Sequence, residues 1–201
     1  LGDAKKVRAA IFDPYLDTLG GGERYTMMVA QTLKKNEWEV DLGWKDKNII
    51  KKLEERLGLD LNGINIVPSI NKGRGYDLCF WLSDGSIPNL HAQKNILHFQ
   101  VPFHNVNGKS IVNRLKLRKI KKIVCNSKFT KKFIDQEYAV KSVVIYPPVS
   151  VDEFKPTEKE NIILSVGRFS QLLQAKRQDV LVDAFRELVD CGLTNRKLVL
   201  A

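Results

Sequence analysis

Three consecutive glycines, Gly20-Gly21-Gly22, separate a short apolar run over 7–13 from a segment of helical spacing over 25–35. Backbone that carries no side chain lets N–H groups approach a ligand closely. A helix N-terminus adds partial positive charge there, which suits an anion. The triplet is not the G-x-G-x-x-G dinucleotide pattern, and no Gly-Lys-Ser/Thr follows it, so it is not a Walker loop. By itself it also reads as a plain flexible turn. Asp13 ends the first apolar run, either facing a ligand or shaping the turn. Glu23 falls in the first helical turn, where an acid suits the dipole, and a capping role is expected of it. His98 closes the apolar run Asn95-Ile96-Leu97 and reads as a core histidine or as a site residue. His104 and Asn105 lie in the loop over 100–108, where they fit a site or simple exposure. His91 reads as a surface residue. Cys79, Cys125 and Cys191 are odd in number, far apart and without a Cys-x-x-Cys pair. They are expected to be small buried hydrophobes rather than metal or redox ligands.

The charge pattern is the second chemical signal. The chain carries a formal net charge of +10 over 201 residues, and the segment 109–132 holds ten Lys or Arg with no Asp or Glu. Such a block points to anionic partners. Nucleic acid is the weakest of them, because a single Phe is the only aromatic in the block and gives no stacking platform. A solvated face is one reading. An interfacial anchor is the other, since Ile111, Val112, Leu115 and Leu117 alternate with the bases. The candidate contacts with an anionic membrane are Lys109, Arg114, Lys116, Arg118, Lys119, Lys121 and Lys122. No apolar run approaches the ~20 residues that span a bilayer, and the first six residues lack the apolar core of a signal peptide. A cytoplasmic protein is expected, with the option of peripheral attachment to the inner face of the membrane.

These residues must be positioned by a repeating pattern of elements. Strands are predicted over 7–13, 39–44, 64–67, 77–82, 95–99, 121–126 and 142–146, most of them apolar throughout. Helices are predicted over 25–35, 46–57, 109–118 and 128–138, the last opened by Ser127 as an N-cap. Continuous apolar strands alternating with amphipathic helices argue for an α/β fold, a Rossmann-like parallel sheet covered on both faces. A proline-rich, acidic stretch over 148–160 reads as a linker between a first domain over 1–147 and the start of a second over 161–201. In that second part, strands are predicted over 161–166 and 197–201. A helix over 177–189 is expected to turn Val180, Leu181, Ala184, Phe185 and Leu188 inward. So few strands cannot cover both faces of a sheet, and the chain is expected to be a piece of something longer.

Several of these stretches together resemble a known family. They are Gly-Gly-Gly-Glu-Arg after the first strand, His98 at a strand end, and Asn126-Ser127-Lys128-Phe129-Thr130 opening a helix. They continue with Val149-Ser150-Val151-Asp152-Glu153-Phe154, with Leu164-Ser165-Val166-Gly167-Arg168-Phe169, and with Lys176-Arg177-Gln178-Asp179-Val180-Leu181. In order and spacing the chain resembles the GT-B glycosyltransferases of family 4, the retaining "glycosyl transferases group 1", from about residue 7 to the end. The resemblance implies two Rossmann-like domains, the first on the acceptor side and the second binding a nucleotide-sugar. It implies a glycan or lipid-linked acceptor in cell-envelope polysaccharide or glycolipid synthesis, and no metal or other cofactor. By the same resemblance Gly21 and Gly22 lie near the donor phosphates, His98 contacts the sugar as the catalytic residue, and Arg168 with Lys176 holds the diphosphate. Asp13, His104 and Asn105 remain acceptor-side candidates. Fixed cations suit the charge that develops on a departing diphosphate. The family's paired glutamates are not found in the sequence, so the chain alone is expected to be inactive; the stretch 171–175 has no assignment. Two other readings stay open: a non-catalytic anion- or membrane-binding α/β module, and another enzyme of this architecture such as an epimerase or phosphorylase. A glycine bend turned away from the cleft, or His98 sealed in the interior, would overturn the site as drawn.

Overall fold

The structure is a computed structural model that describes residues 6–167, 169 and 176–201. The chain forms two compact units, Leu1–Val149 and Ser150–Ala201. In the first unit the strands are β1 (Arg8–Phe12), β2 (Glu39–Gly43), β3 (Ile64–Val67), β4 (Leu78–Leu82), β5 (Lys94–Phe99), β6 (Lys122–Cys125) and β7 (Val143–Val144). They make one sheet in the order β3-β2-β1-β4-β5-β6-β7, and every neighbouring pair is parallel. The connecting helices are α1 (Gly21–Lys35), α2 (Ile49–Leu57), α3 (Ile111–Leu117) and α4 (Lys128–Tyr138). This is the α/β, Rossmann-like sheet that the strand pattern predicts.

Period-two geometry explains why β1 carries no polar alternation. Ala9 and Ile11 pack on one face with Met27, Leu42 and Leu53. Ala10 packs on the other with Ile70, Cys79 and Leu90. Both faces are covered, so both need apolar residues. A third cluster, around Leu97, Phe99, Ile134 and Tyr138, joins β5 to α4. Local caps set several boundaries. The Ser127 hydroxyl accepts from Thr130 N at 3.0 Å and starts α4, and Gly58, at φ 63°, ends α2 in the left-handed region.

Three boundaries differ from the sequence reading for physical reasons. Helix α1 begins at Gly21, so the glycines form its first turn instead of a loop before it; Gly20 O accepts from Arg24 N at 3.0 Å and closes that turn. Helix α2 begins at Ile49 because Asp46 Oδ1 holds Asn48 N at 2.9 Å in a competing local turn. Strand β7 keeps only Val143–Val144, since Ser142 is tied by its N–H and hydroxyl to Asp135 Oδ1.

The second unit has a parallel pair, β8 (Ile162–Ser165) and β9 (Lys197–Leu200), with helix α5 (Gln178–Asp190). No residue of α5 is buried; Val180 and Leu188 are each 48% exposed, and Ala184 is exposed too. Two strands offer a face too narrow to cover the helix, which corrects the inward-facing expectation for these side chains. Cys79 and Cys125 are buried as expected, whereas Cys191, just past the end of α5, is exposed.

Candidate functional site

In an open parallel sheet a ligand settles at the carboxyl ends of the strands, where the strand order reverses. Here that point lies between β1 and β4. The chain there presents Asp13, the bend into Gly20–Gly22 and the turn Ser83-Asp84-Gly85-Ser86, and the adjoining β5 adds His98 and Gln100.

The glycine bend is a built feature. Gly20 is extended, with φ −107° and ψ −163°, and its N–H donates to a Glu23 carboxylate oxygen. Glu23 thus caps α1, and one of the three expected ligand-facing N–H groups is spent on that cap. Gly21 and Gly22 N–H belong to the first turn, which has no intrahelical acceptors. Gly21 is exposed, with nothing within 4 Å of where a Cβ would stand. Gly22 is different: a Cβ there would sit 2.3 Å from Gln100 Oε1. Gln100 Nε2 donates to Gly22 O at 2.9 Å. Asn126 Nδ2 in turn donates to Gln100 O at 2.8 Å, and Asn126 Oδ1 accepts from the Thr130 hydroxyl at 2.8 Å. A chain of polar contacts therefore laces the ends of β5 and β6 to the first turn of α1. Gln100 and Asn126 are half-buried, so polar atoms border the bend. Gln100 was not singled out from the sequence; its one signal is its place two residues beyond His98, on the same side of an extended segment.

Below this layer two polar groups are sealed. Asp13 is fully buried; its Oδ1 accepts from Tyr15 N at 2.9 Å, and its Oδ2 has no hydrogen-bond partner among the described residues. Burial pushes its carboxyl up to about 6, the Tyr15 N–H and the Thr26 hydroxyl oppose that, and the nearby Glu23 charge adds to it. His98 is also fully buried. Its Nδ1–H donates to Val124 O at 3.1 Å, because a carbonyl can only accept, and its Nε2 has no partner among the described residues. The ring stacks on Tyr25 with centroids 4.3 Å apart and lies 5.3 Å from Phe80. Burial pulls its pKa down to about 4, so the ring is neutral at pH 7. The expectation of an accessible His98 in contact with a sugar is corrected by this geometry: Tyr25 of α1 covers the ring.

The other candidates are placed as follows. His104 and Asn105 are exposed. The His104 ring meets Phe133 of α4 edge-on at 4.7 Å. Asn105, at φ 57°, donates its N–H to Glu137 Oε2 at 3.3 Å, and Val106 N and Gly108 N reach Glu137 Oε1 at 3.1 and 3.4 Å. This loop is thus fastened to α4. Asp84 accepts from Ser86 N at 3.0 Å and from the Ser86 hydroxyl at 2.7 Å, which makes it a turn-forming residue. In the second unit Lys176 is exposed, and its stem crosses Gly167, where an added Cβ would come within 2.9 Å of Lys176 Cγ. The lysine stem and the residue two past the end of β8 are therefore adjacent. Arg168 and the stretch 171–175 lie outside the described residues. Among the described residues no group of three His, Cys, Asp or Glu is arranged to hold a metal, and no helix is long and apolar enough to cross a membrane.

No family model matches the chain, and no curated protein matches it. A solved structure is similar, that of a glycosyltransferase from Rickettsia africae ESF-5. The TM-score is 0.64 at 17% identity, over 98% of this chain and 69% of that one. The fold is one that a glycosyltransferase uses. At that identity the likeness concerns architecture, and the residues above must carry the chemistry.

Proposed function

We propose that the chain belongs to a GT-B-type, family 4 glycosyltransferase that moves a sugar from a nucleotide-sugar to a glycan or lipid-linked acceptor with retention at the anomeric carbon. The observation that carries this reading is the glycine bend at the switch point of the sheet, held by Gln100 at the N-terminus of α1. The likeness to a structure titled glycosyltransferase supports it. Gly21 and Gly22 are assigned an anionic group of a substrate, received by first-turn N–H groups. Lys176 and Arg168 are assigned the donor diphosphate, where side-chain cations offset the charge that grows as the glycosidic bond to phosphate breaks. His98 is withdrawn as a sugar contact. It is assigned a positioning role, bracing Tyr25 and with it the first turn of α1.

Turnover by the full-length protein against a panel of nucleotide sugars tests the proposal. Lys176→Ala is expected to lower turnover about a hundredfold, the scale of one charge-stabilising group, with the circular dichroism spectrum unchanged. Full activity in that variant removes the diphosphate assignment. A protein that neither binds nor turns over any nucleotide sugar, yet binds anionic vesicles in a salt-sensitive way, is instead the non-catalytic module.

A further inference from the structure

Helix α3 has no buried residue. Its apolar side chains are among the most exposed of the chain: Ile111 at 78%, Val112 at 61% and Leu115 at 53%. At about 100° per residue, Ile111, Leu115 and Val112 share an arc of roughly 100°. Arg114 and Arg118 border that arc on one side and Lys116 on the other, while Leu117 points back and packs with the β5–α4 core. The helix therefore presents an apolar ridge flanked by cations, with its one inward leucine anchoring it to the sheet.

Two grooves extend the cationic ground. The first, of about 550 Å³, runs between α3 and the end of α4 and is lined by Arg114, Leu115, Arg118 and Val140 among others. The second, of about 530 Å³, lies at the amino edge of β5 and β6 and is lined by His91, Arg118, Lys119 and Lys121. Arg118 lines both, so the two grooves adjoin. Desolvation, then the charges of Lys119, Arg74 and Lys72, hold the His91 pKa below its ordinary value. The segment 109–132 itself contains no Asp or Glu.

We propose that α3 docks this protein on an anionic phospholipid surface, with Ile111, Val112 and Leu115 entering the acyl boundary and Arg114, Arg118, Lys119 and Lys121 meeting lipid phosphates. Charge complementarity selects this occupant. A purely apolar partner would leave the flanking guanidinium groups desolvated, whereas the headgroup layer takes apolar side chains and cations at adjacent depths. Nucleic acid would use the cations but leave the apolar ridge in water.

The test is co-sedimentation of the full chain with vesicles of phosphatidylcholine alone or with a third phosphatidylglycerol, at 50 and 300 mM salt. Binding is expected only with phosphatidylglycerol, and weaker at high salt. Each base near the surface contributes about fivefold in partition. The paired substitution Arg114→Gln with Arg118→Gln is therefore expected to weaken binding about 25-fold. Ile111→Ser with Leu115→Ser is expected to weaken it at least tenfold, and because both side chains are exposed the variant should keep its melting temperature. Equal binding to neutral vesicles, no binding, or binding unchanged in either pair overturns the proposal. So does a concentration-dependent dimer that is lost in the Ile111/Leu115 pair without vesicle binding, which would assign the ridge to a second copy. The readout is independent of sugar turnover, so its failure leaves the transferase reading to its own experiment.

Discussion

Burial acts on Asp13 and His98 in opposite senses. Asp13 titrates at about 6 in the folded protein against an ordinary 3.8. Between those values the folded state holds the proton and the unfolded state has released it, so this group's contribution to stability falls as pH rises from about 4 to 6. Asp13→Asn removes that loss. Relative to the parent chain, the variant is expected to gain about 3 kcal/mol between pH 4 and 7, from the size of the shift, read by denaturant unfolding at the two pH values. A constant difference across the range would mean that the carboxylate is not desolvated. His98 runs the other way: at about 4 against 6.5, its contribution is present above 6.5 and lost as pH falls towards 4. The apolar run before His98 already allowed a core position, but neither the group that covers its ring nor the burial of Asp13 was legible from neighbouring residues. Tyr25 seals His98, and it arrives from a helix far away in the sequence.

At the scale of elements, the glycine bend and its clamp make a contrast that can be measured. Gly21 has open space where a Cβ would go, while at Gly22 that Cβ meets the end of the Gln100 side chain at 2.3 Å. Gln100 is flexible enough to move aside, at the cost of its 2.9 Å bond to Gly22 O. Gly21→Ala is therefore expected to unfold at higher denaturant than Gly22→Ala, with a difference of about 1 kcal/mol, the scale of one hydrogen bond. Equal midpoints would remove the clamp from the account. Helix α4 shows what sequence does convey at this scale. Its bounds at Lys128–Tyr138 match the expected 128–138 because Ser127 caps it from the next residue along. The start of α1 was misplaced because its cap joins Gly20 to Glu23 across the glycines, which propensity alone reads as a break.

For the molecule as a whole, stability is unevenly distributed. β1, β4 and β5 lie inside the seven-stranded sheet with residues such as Ala9, Ile11, Cys79 and Leu97 fully buried, whereas α5 buries none. Amides of the three central strands are expected to exchange with solvent only when the first unit unfolds, and those of 178–190 much sooner. Slower exchange in α5 than in β4 would contradict this distribution. The +10 charge is also uneven, since ten bases and no acid fall in 109–132, the segment that contains α3. Sequence alone left that block between a solvated face and an anchor. The anchor proposal rests on the exposure of Ile111, Val112 and Leu115 among those bases.

From its sequence alone the chain declared an α/β sheet, most element positions and a basic helix, because hydrophobic periodicity, caps and charge runs are local properties of adjacent residues. Only the tertiary structure decided that His98 is enclosed, that Asp13 is buried, and that Gln100 grips Gly22. Those outcomes depend on which distant segments close over a side chain: Gln100 and Gly22 stand 78 positions apart in sequence, and nothing near either of them encodes the meeting.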